Sequence, residues 1–328
     1  MILKTRGASV KKERLEVLLR RLPKWHDLYK IAKEYFYADA AGMGGEQRFD
    51  HYINMSTIHF PHFILHNLQL KSLLEFQLDS LIITPWCIFV FEVKNIAGRL
   101  QFKDAPPQLI QTKEDGTVIG RKSPLEQMAT NEWLLEEWLR TRNFFLPIRS
   151  VLVLAYPKQM PEDLPDNQTT LFAHQLPMFL NKINQQEAEI NSGEINELAY
   201  GFYDAHINYV PKPICANPSY PLEIMLKGVW CKECDEIGMK RSHGGWHCSK
   251  CSARDANAHI QTIKDWILLT GEPLSNKVCR EVLQIDDRHV VKRLLQEMSM
   301  QKLGTFKDAK YVFERKCSYF VGIRSYSP

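Results

Sequence analysis

The pattern of hydrophobic and polar residues is most informative over residues 76–94, which read FQLDSLIITPWCIFVFEVK. Two short apolar runs, rich in β-branched and aromatic residues, are divided there by a Thr-Pro pair, a pattern that predicts two buried strands joined by a turn. Charged residues interrupt both runs: Asp79 the first, Glu92 and Lys94 the second. Strand residues two apart share a face of the sheet, so Glu92 and Lys94 would lie together, across from Asp79 in a hairpin.

The same patterns outline the rest of the chain. Glycines 42, 44 and 45 predict a close turn into a helix, and prolines from 211 to 221 predict a linker. The predicted elements are helices over 10–37, 46–54, 125–142, 259–269, 276–283 and 288–298, strands over 59–70 and 150–155, and a strand hairpin near 303–314. The predicted domains are an amino-terminal helical segment (1–40), an α/β domain (41–210), the linker (211–226), a cysteine-rich module (227–256) and a helical module (257–328).

Composition and charge narrow the class of protein. With 45% hydrophobic and 24% charged residues, the 328-residue chain has the composition of a soluble protein. Its longest apolar run, 81–91, is too short to span a bilayer, and no secretory h-region opens the chain, so we expect a cytoplasmic protein with no membrane contact. Residues 227–328 carry 18 Lys and Arg against 12 Asp and Glu, which favours nucleic-acid contact at the basic end.

Asp79, Glu92 and Lys94 form the first candidate site. Carboxylates brought together on buried strands repel one another, and their burial is costly unless a cation neutralises them. Their oxygens suit Mg²⁺ or Mn²⁺, while the Lys94 ammonium would face a phosphate or position a water. The spacing of the histidines before these strands, His66 among them, does not gather a metal site, and we interpret them as surface or packing residues.

A second candidate site is the spacing C-x2-C-x13-C-x2-C. Without an export signal, the eight cysteines are expected to be thiols or metal ligands rather than disulfides. Two C-x-x-C pairs supply four thiolates for a tetrahedral Zn²⁺ with no open position, so the zinc would be structural. The ligands would be Cys231, Cys234, Cys248 and Cys251.

Four motifs in order resemble the nuclease-related domain (NERD) family of PD-(D/E)xK nucleases. They are Gly44-Gly45-Glu46, Gln77-Leu78-Asp79, Phe91-Glu92-Val93-Lys94-Asn95 with Gly98, and Ser123-Pro124-Leu125-Glu126-Gln127, with Ser123 where we expect Asn. The resemblance covers roughly residues 41–155 and implies a restriction-endonuclease-like α/β core. It also implies that Asp79 and Glu92 bind Mg²⁺, that Lys94 orients the attacking water, and that Glu46 and Gln127 belong to the catalytic site. On the residues alone, Glu46 could instead be a first-turn carboxylate and Gln127 a surface residue.

The carboxy-terminal modules carry two further resemblances. The four cysteines resemble a zinc ribbon, and the helices followed by a hairpin resemble a winged helix. In that motif the third helix enters the major groove, where it would present Arg288, His289, Lys292 and Arg293. The alternative is a small helical packing or protein-docking module.

The sequence therefore predicts a metal-dependent endonuclease that hydrolyses DNA and binds it through its carboxy-terminal modules. Two alternatives belong to other classes: a DNA-binding or regulatory protein with an idle nuclease core, and a protein-interaction scaffold. A second copy of the chain or a partner protein stays open as a further contact.

Overall fold

The structure is a computed structural model that describes residues 1–7, 9–183, 186–208, 212–298, 300–305 and 309–313. Its helices are α1 (Val10–Arg21), α2 (Asp27–Met55), α3 (Pro124–Arg140), α4 (Leu176–Lys182), α5 (Ser192–Asp204), α6 (Ala258–Thr270), α7 (Asn276–Leu283) and α8 (Arg288–Glu297). Its strands are β1 (Ile2–Lys4), β2 (Phe63–Lys71), β3 (Glu75–Ile83), β4 (Ile88–Lys94), β5 (Gly98–Asp104), β6 (Pro107–Thr112), β7 (Val118–Lys122), β8 (Ile148–Leu154), β9 (Gln159–Glu162), β10 (Thr170–Phe172), β11 (Val229–Cys231), β12 (Glu236–Ser242), β13 (Gly245–His247), β14 (Arg254–Asp255), β15 (Leu274–Ser275), β16 (Gln301–Leu303) and β17 (Lys310–Val312). In the described ranges, no helix combines the length and the apolar character needed to cross a membrane.

The chain divides into two compact units. Unit 1 comprises Met1–Ala8 and Ala40–Tyr209, and unit 2 comprises Ser9–Asp39 and Val210–Pro328. The segment 1–40, predicted to be a separate amino-terminal segment, is thus shared between both units, and the two predicted carboxy-terminal modules fall into one unit. The reason is that the buried leucines of α1 join the same hydrophobic core as α6, α7 and α8.

Unit 1 is built on a six-stranded sheet with the order β1-β2-β3-β4-β8-β10. The predicted hairpin is present: β3 and β4 pair antiparallel, and β4 pairs parallel with β8. Alternate residues of these strands pack against α3 and α5 on one face and against α2 and α4 on the other. A second sheet has the order β7-β6-β5-β9. Its strands β5, β6 and β7 carry the chain from β4 to the start of α3, and β9 follows β8.

The prediction of a glycine turn before residue 46 is wrong, because α2 runs without a break from Asp27 to Met55. Gly45 serves close packing instead. A Cβ on Gly45 would lie 2.7 Å from the Asn95 Cβ and 3.3 Å from the Ala155 Cβ, so only glycine lets the helix approach the ends of β4 and β8 this closely. The predicted helix over 10–37 is also interrupted, since Leu22 precedes a proline and takes an extended conformation (ψ 139°).

Unit 2 joins two small sheets to the helices α1, α6, α7 and α8 around one core. Strands β11 to β14 form a four-stranded antiparallel sheet, and β15, β17 and β16 form a three-stranded one. The helices α7 and α8 follow β15, and Asp287 caps α8 by accepting from the His289 and Val290 N–H groups. Residues 314–328 of the predicted helical module, and the tip of its hairpin, lie outside the described residues.

Asp265 is expected to be the electrostatic anchor of unit 2. Its fully buried carboxylate accepts from Arg21 Nε at 2.9 Å and from Arg20 Nη2 at 2.9 Å, which ties α1 to α6. Replacing Asp265 with Ala leaves buried guanidinium charge without its counter-ion, so we expect unit 2 to lose about 3–5 kcal/mol of stability in chemical unfolding. The exposed Asp286 gives the matched control, and equal losses for Asp265→Ala and Asp286→Ala would contradict the assignment.

Candidate functional site

The site begins where the β3–β4 ladder ends. The backbone pair at this end of the ladder joins Ser80 to Phe91, and Asp79 precedes Ser80 in β3. Here a side chain takes the place of the backbone acceptor: Val93 N–H donates to Asp79 Oδ2 at 2.9 Å. This bond fixes the Asp79 carboxylate against β4 and leaves its other oxygen available for a ligand.

Glu92 and Lys94 lie on the face of β4 that α3 covers, as their two-residue spacing predicts. Lys94 Nζ lies 2.5 Å from Glu92 Oε1 and donates to Gln127 Oε1 at 3.1 Å. Glu92 is buried, while the Lys94 side chain is 23% exposed and Gln127 is exposed. The ammonium is therefore held by two side chains and still faces the solvent side of the site.

The position of Gln127 follows from the start of α3. Ser123 is the N-cap, and its side chain accepts from the Glu126 N–H at 3.4 Å. Pro124 occupies the first turn, where a missing N–H costs nothing. Asn, which we expected at position 123, and Ser are interchangeable as caps, so this departure leaves the first turn and Gln127 in place.

Burial dominates the electrostatics of the two carboxylates. It raises the pKa of Glu92 to about 7, with the Asp79 charge adding to the increase and Lys94 and Gln127 opposing it. Burial also raises the pKa of Asp79, against the hydrogen bond from Val93 and the charge of Lys94. Two buried carboxylates that are both ionised repel each other, and a bound cation would relieve this repulsion. The pair Asp79 and Glu92 therefore favours a divalent metal.

The raised pKa of Glu92 gives a prediction for stability. The folded protein holds the Glu92 proton up to about pH 7, whereas the unfolded chain releases it near pH 4.5, so stability falls as pH rises between these values. We expect Glu92→Gln to remove this decrease, worth up to about 3 kcal/mol. Chemical unfolding of both proteins without added divalent metal measures it, and identical pH profiles would refute it.

Glu46 lies on α2, the helix that packs on the other face of the sheet. Arg6 Nη1 lies 3.3 Å from Glu46 Oε2, and Arg6 Nε lies 2.9 Å from Asp50 Oδ2. Arg6 also donates from Nη2 to Ser80 Oγ at 2.9 Å, next to Asp79 in the chain. Arg6 thus connects Glu46 with Asp50 and with Ser80, the neighbour of Asp79 in the chain.

Sequence reasoning missed Arg6 and underrated His66. The buried His66 has its Nδ1 2.8 Å from Ser80 Oγ, and burial lowers its pKa to about 4, so the ring is neutral at pH 7. His66 is a packing residue, as interpreted, but it also supports the strand that carries Asp79. The signal available in the sequence was the i, i+4 spacing of Glu46 and Asp50, which puts two carboxylates on one side of a helix beside a cation.

The four cysteines come together as their spacing predicts. Their sulfur atoms all lie within 4.8 Å of one another, with Cys231 Sγ 3.7 Å from Cys251 Sγ and Cys234 Sγ 3.6 Å from Cys248 Sγ. A tetrahedron of thiolates about 2.3 Å from a central Zn²⁺ has edges of about 3.8 Å, so the geometry is consistent with a zinc ribbon. Among the described residues this is the only cluster of three or more potential ligands of that kind, so Asp79 and Glu92 would hold a cation as a pair.

The four residues predicted to contact nucleic acid share the exposed face of α8. Helical spacing turns Val291, Leu294 and Leu295 into the core of unit 2 and leaves the charged positions in solvent. The exposed residues are Arg288, His289, Lys292 and Arg293. Their side chains are free to meet a phosphate backbone without breaking the fold.

Part of unit 1 matches a known protein family. Residues 41–155, about a third of the chain, match the nuclease-related domain family, NERD. The matched region contains Glu46, Asp79, Glu92, Lys94 and Gln127. At a coarse level the match indicates a nuclease-related function, with nucleic acid as substrate class and a divalent metal as cofactor. No curated protein and no solved structure matches the chain.

Proposed function

We propose that this protein is a Mg²⁺- or Mn²⁺-dependent endonuclease of the PD-(D/E)xK type that hydrolyses phosphodiester bonds in DNA. The observation that carries the proposal is the convergence of Asp79, Glu92 and Lys94 at the end of the β3–β4 ladder, within the region that matches NERD. A restriction-endonuclease-like core would hold these groups on strands rather than on loops.

Asp79 and Glu92 would hold the metal. Mg²⁺ is commonly bound by one or two carboxylates, with water and substrate phosphate completing its shell, so a pair of carboxylates is sufficient. The bound ion would polarise the scissile phosphate and stabilise its developing charge. Burial has already removed water from Glu92, which strengthens its attraction to a cation.

The other side chains would position the reactants. Lys94 would orient the attacking water and offset negative charge, and Gln127 would keep the ammonium in place through its 3.1 Å contact. Glu46 would act through Arg6, which connects it to Ser80 beside Asp79. Glu46 is then a positioning residue for the acidic pair.

Unit 2 would hold the DNA. The cysteine cluster would be a zinc ribbon with a structural Zn²⁺, and the order helix, strand, helix, helix, hairpin supports a winged helix. Its helix α8 would enter the major groove with Arg288, His289, Lys292 and Arg293. Contacts of these residues to phosphates would provide affinity, whereas any sequence choice would need contacts to base edges.

The test is cleavage of plasmid and single-stranded DNA by purified protein with Mg²⁺, with Mn²⁺ and without either ion. A buffer without added metal is preferable to a chelator, which would also withdraw zinc. We expect cleavage only with the added ion, and none from an Asp79→Ala/Lys94→Ala variant. Equal cleavage by parent and variant would refute the assignment.

The exposed cations of α8 favour one second candidate, a DNA-binding or regulatory protein with an idle core. It predicts binding without cleavage, and loss of that binding when all four α8 residues are replaced. An idle core would also show no change in stability on addition of Mg²⁺.

A further inference from the structure

A cationic and aromatic cluster joins α2 to the chain just after β8, the strand that pairs with β4, and none of its side chains has a role in the proposed catalytic site. It consists of Arg48 on α2, and Tyr156 and Lys158 just after β8. The Arg48 guanidinium carbon lies 4.4 Å from the centre of the Tyr156 ring, and Lys158 Nζ lies 5.9 Å from the same centre. Two positive charges are therefore held over one aromatic ring.

The Arg48 guanidinium retains N–H donors for a further ligand. The hydrogen bond described for it runs from Nη2 to Tyr52 Oη at 3.3 Å, and its Nε is buried without a partner in the described structure. A guanidinium has five N–H donors in a fixed fork that fits phosphate oxygens. Lys158 is exposed and takes part in none of the ion pairs found among the described residues. Both cations can thus accept an anionic ligand without giving up a carboxylate.

One buried side chain ties this cluster to the catalytic strand. Gln159 Oε1 accepts from the Tyr156 N–H at 2.9 Å, while its Nε2 donates to the carbonyls of Lys94 at 3.1 Å and Ile96 at 3.2 Å. The Ala155 N–H also donates to the Lys94 carbonyl at 2.9 Å. The position of Tyr156 is therefore fixed relative to the backbone of Lys94.

The cluster and Gln127 approach the end of β4 from opposite faces of the sheet, since α2 and α3 cover different faces. A nucleic-acid strand whose scissile phosphate lies at Asp79, Glu92 and Lys94 must place its neighbouring phosphates to either side. The α2 side offers Arg48 and Lys158. Cations on this side can therefore contact a phosphate next to the scissile one and neutralise its charge.

We propose that Arg48 and Lys158 form a subsite for a phosphate of the nucleic-acid strand next to the one being cleaved, with Tyr156 holding the guanidinium in place. The subsite rests on the proposed nuclease function, because it would bind the same nucleic-acid strand that the catalytic site cleaves. It recognises the phosphodiester backbone and not the base sequence.

Binding of a fluorescent oligonucleotide, followed by anisotropy from about 50 to about 200 mM NaCl, tests the subsite. All proteins carry Asp79→Asn, so the strand stays intact without a chelator. We expect Arg48→Met/Lys158→Met to weaken binding about tenfold and to reduce the slope of log affinity against log salt by about 2. The single variant Lys158→Glu, at an exposed position, should weaken binding further than Lys158→Met.

The control is Arg142→Met/Lys182→Met, which removes the same charge. Arg142 stacks on Trp138 with its guanidinium carbon 3.9 Å from the ring centre. It lies just beyond the end of α3 that is far from Gln127, and Lys182 is the last residue of α4. Equal effects of the two double variants would overturn the subsite, as would unchanged affinity in Lys158→Glu. Failure of the nuclease proposal is a separate result, since it appears as absent metal-dependent cleavage in the parent.

Discussion

We expect replacement of Asp79 with Asn to lower the proposed metal-dependent cleavage by at least about a thousandfold, because a charge that would hold the metal is lost. Asn retains a side-chain oxygen that can accept from the Val93 N–H, so the contact that fixes β3 to β4 survives. The loss therefore reports the carboxylate charge and not the fold. Single-turnover cleavage at saturating protein and metal measures it.

The exposed Asp104 at the end of β5 provides the matched control for the loss of one negative charge. Asp104→Asn should cleave at the parent rate. If Asp79→Asn also cleaves at that rate, the metal site lies elsewhere. Lys94→Met separates the roles further, because it should leave metal-dependent stabilisation intact while removing cleavage.

We expect replacement of Cys231 with Ser to unfold unit 2 and to abolish zinc binding by the cysteine cluster. The Cys231 and Cys248 side chains are buried in the core that also contains Trp246 and Trp266, so the cluster and the packing depend on one another. Zinc affinity in such sites supplies folding energy of about 10–16 kcal/mol, more than a small unit can lose. Zinc analysis together with tryptophan emission measures both effects.

Cys215 is the control, since it lies in the same unit, is half-buried and is not part of the cluster. Cys215→Ser should keep one zinc per chain and a blue-shifted tryptophan emission. Native emission from a zinc-free Cys231→Ser protein would show that the metal is dispensable. Restoration of the fold by added zinc in that variant would equally contradict four required ligands.

The parts of the site that sequence reasoning could predict are those that depend on local spacing. The two-residue separation of Glu92 and Lys94 places them on one face whatever the rest of the chain does. The apolar runs around Asp79 predict its strand. The resemblance carried by the four motifs predicts that Gln127 belongs to the same site as Lys94. The cysteine spacing likewise predicts its cluster without any knowledge of the surrounding core.

The remaining contacts join residues that are distant in the chain. Arg6 reaches Glu46 and Ser80, and Gln159 reaches the carbonyl of Lys94, through contacts that only the packed sheet creates. No periodicity in the sequence encodes such pairs. The glycines before Glu46 were misread for a related reason: tight turns and close helix packing both require glycine, and only the neighbours of Gly45 distinguish them.

The divided construction of unit 2 sets an order of events during synthesis. Its first portion ends at Asp39, and its second begins roughly 170 residues later at Val210. At about 5–20 residues per second, the ribosome synthesises α1 some ten to fifty seconds before Asp265, its ion-pair partner in the core. During that interval Arg20 and Arg21 lack Asp265, which is synthesised last of the three. Unit 1 can therefore fold before the second portion of unit 2 has been synthesised.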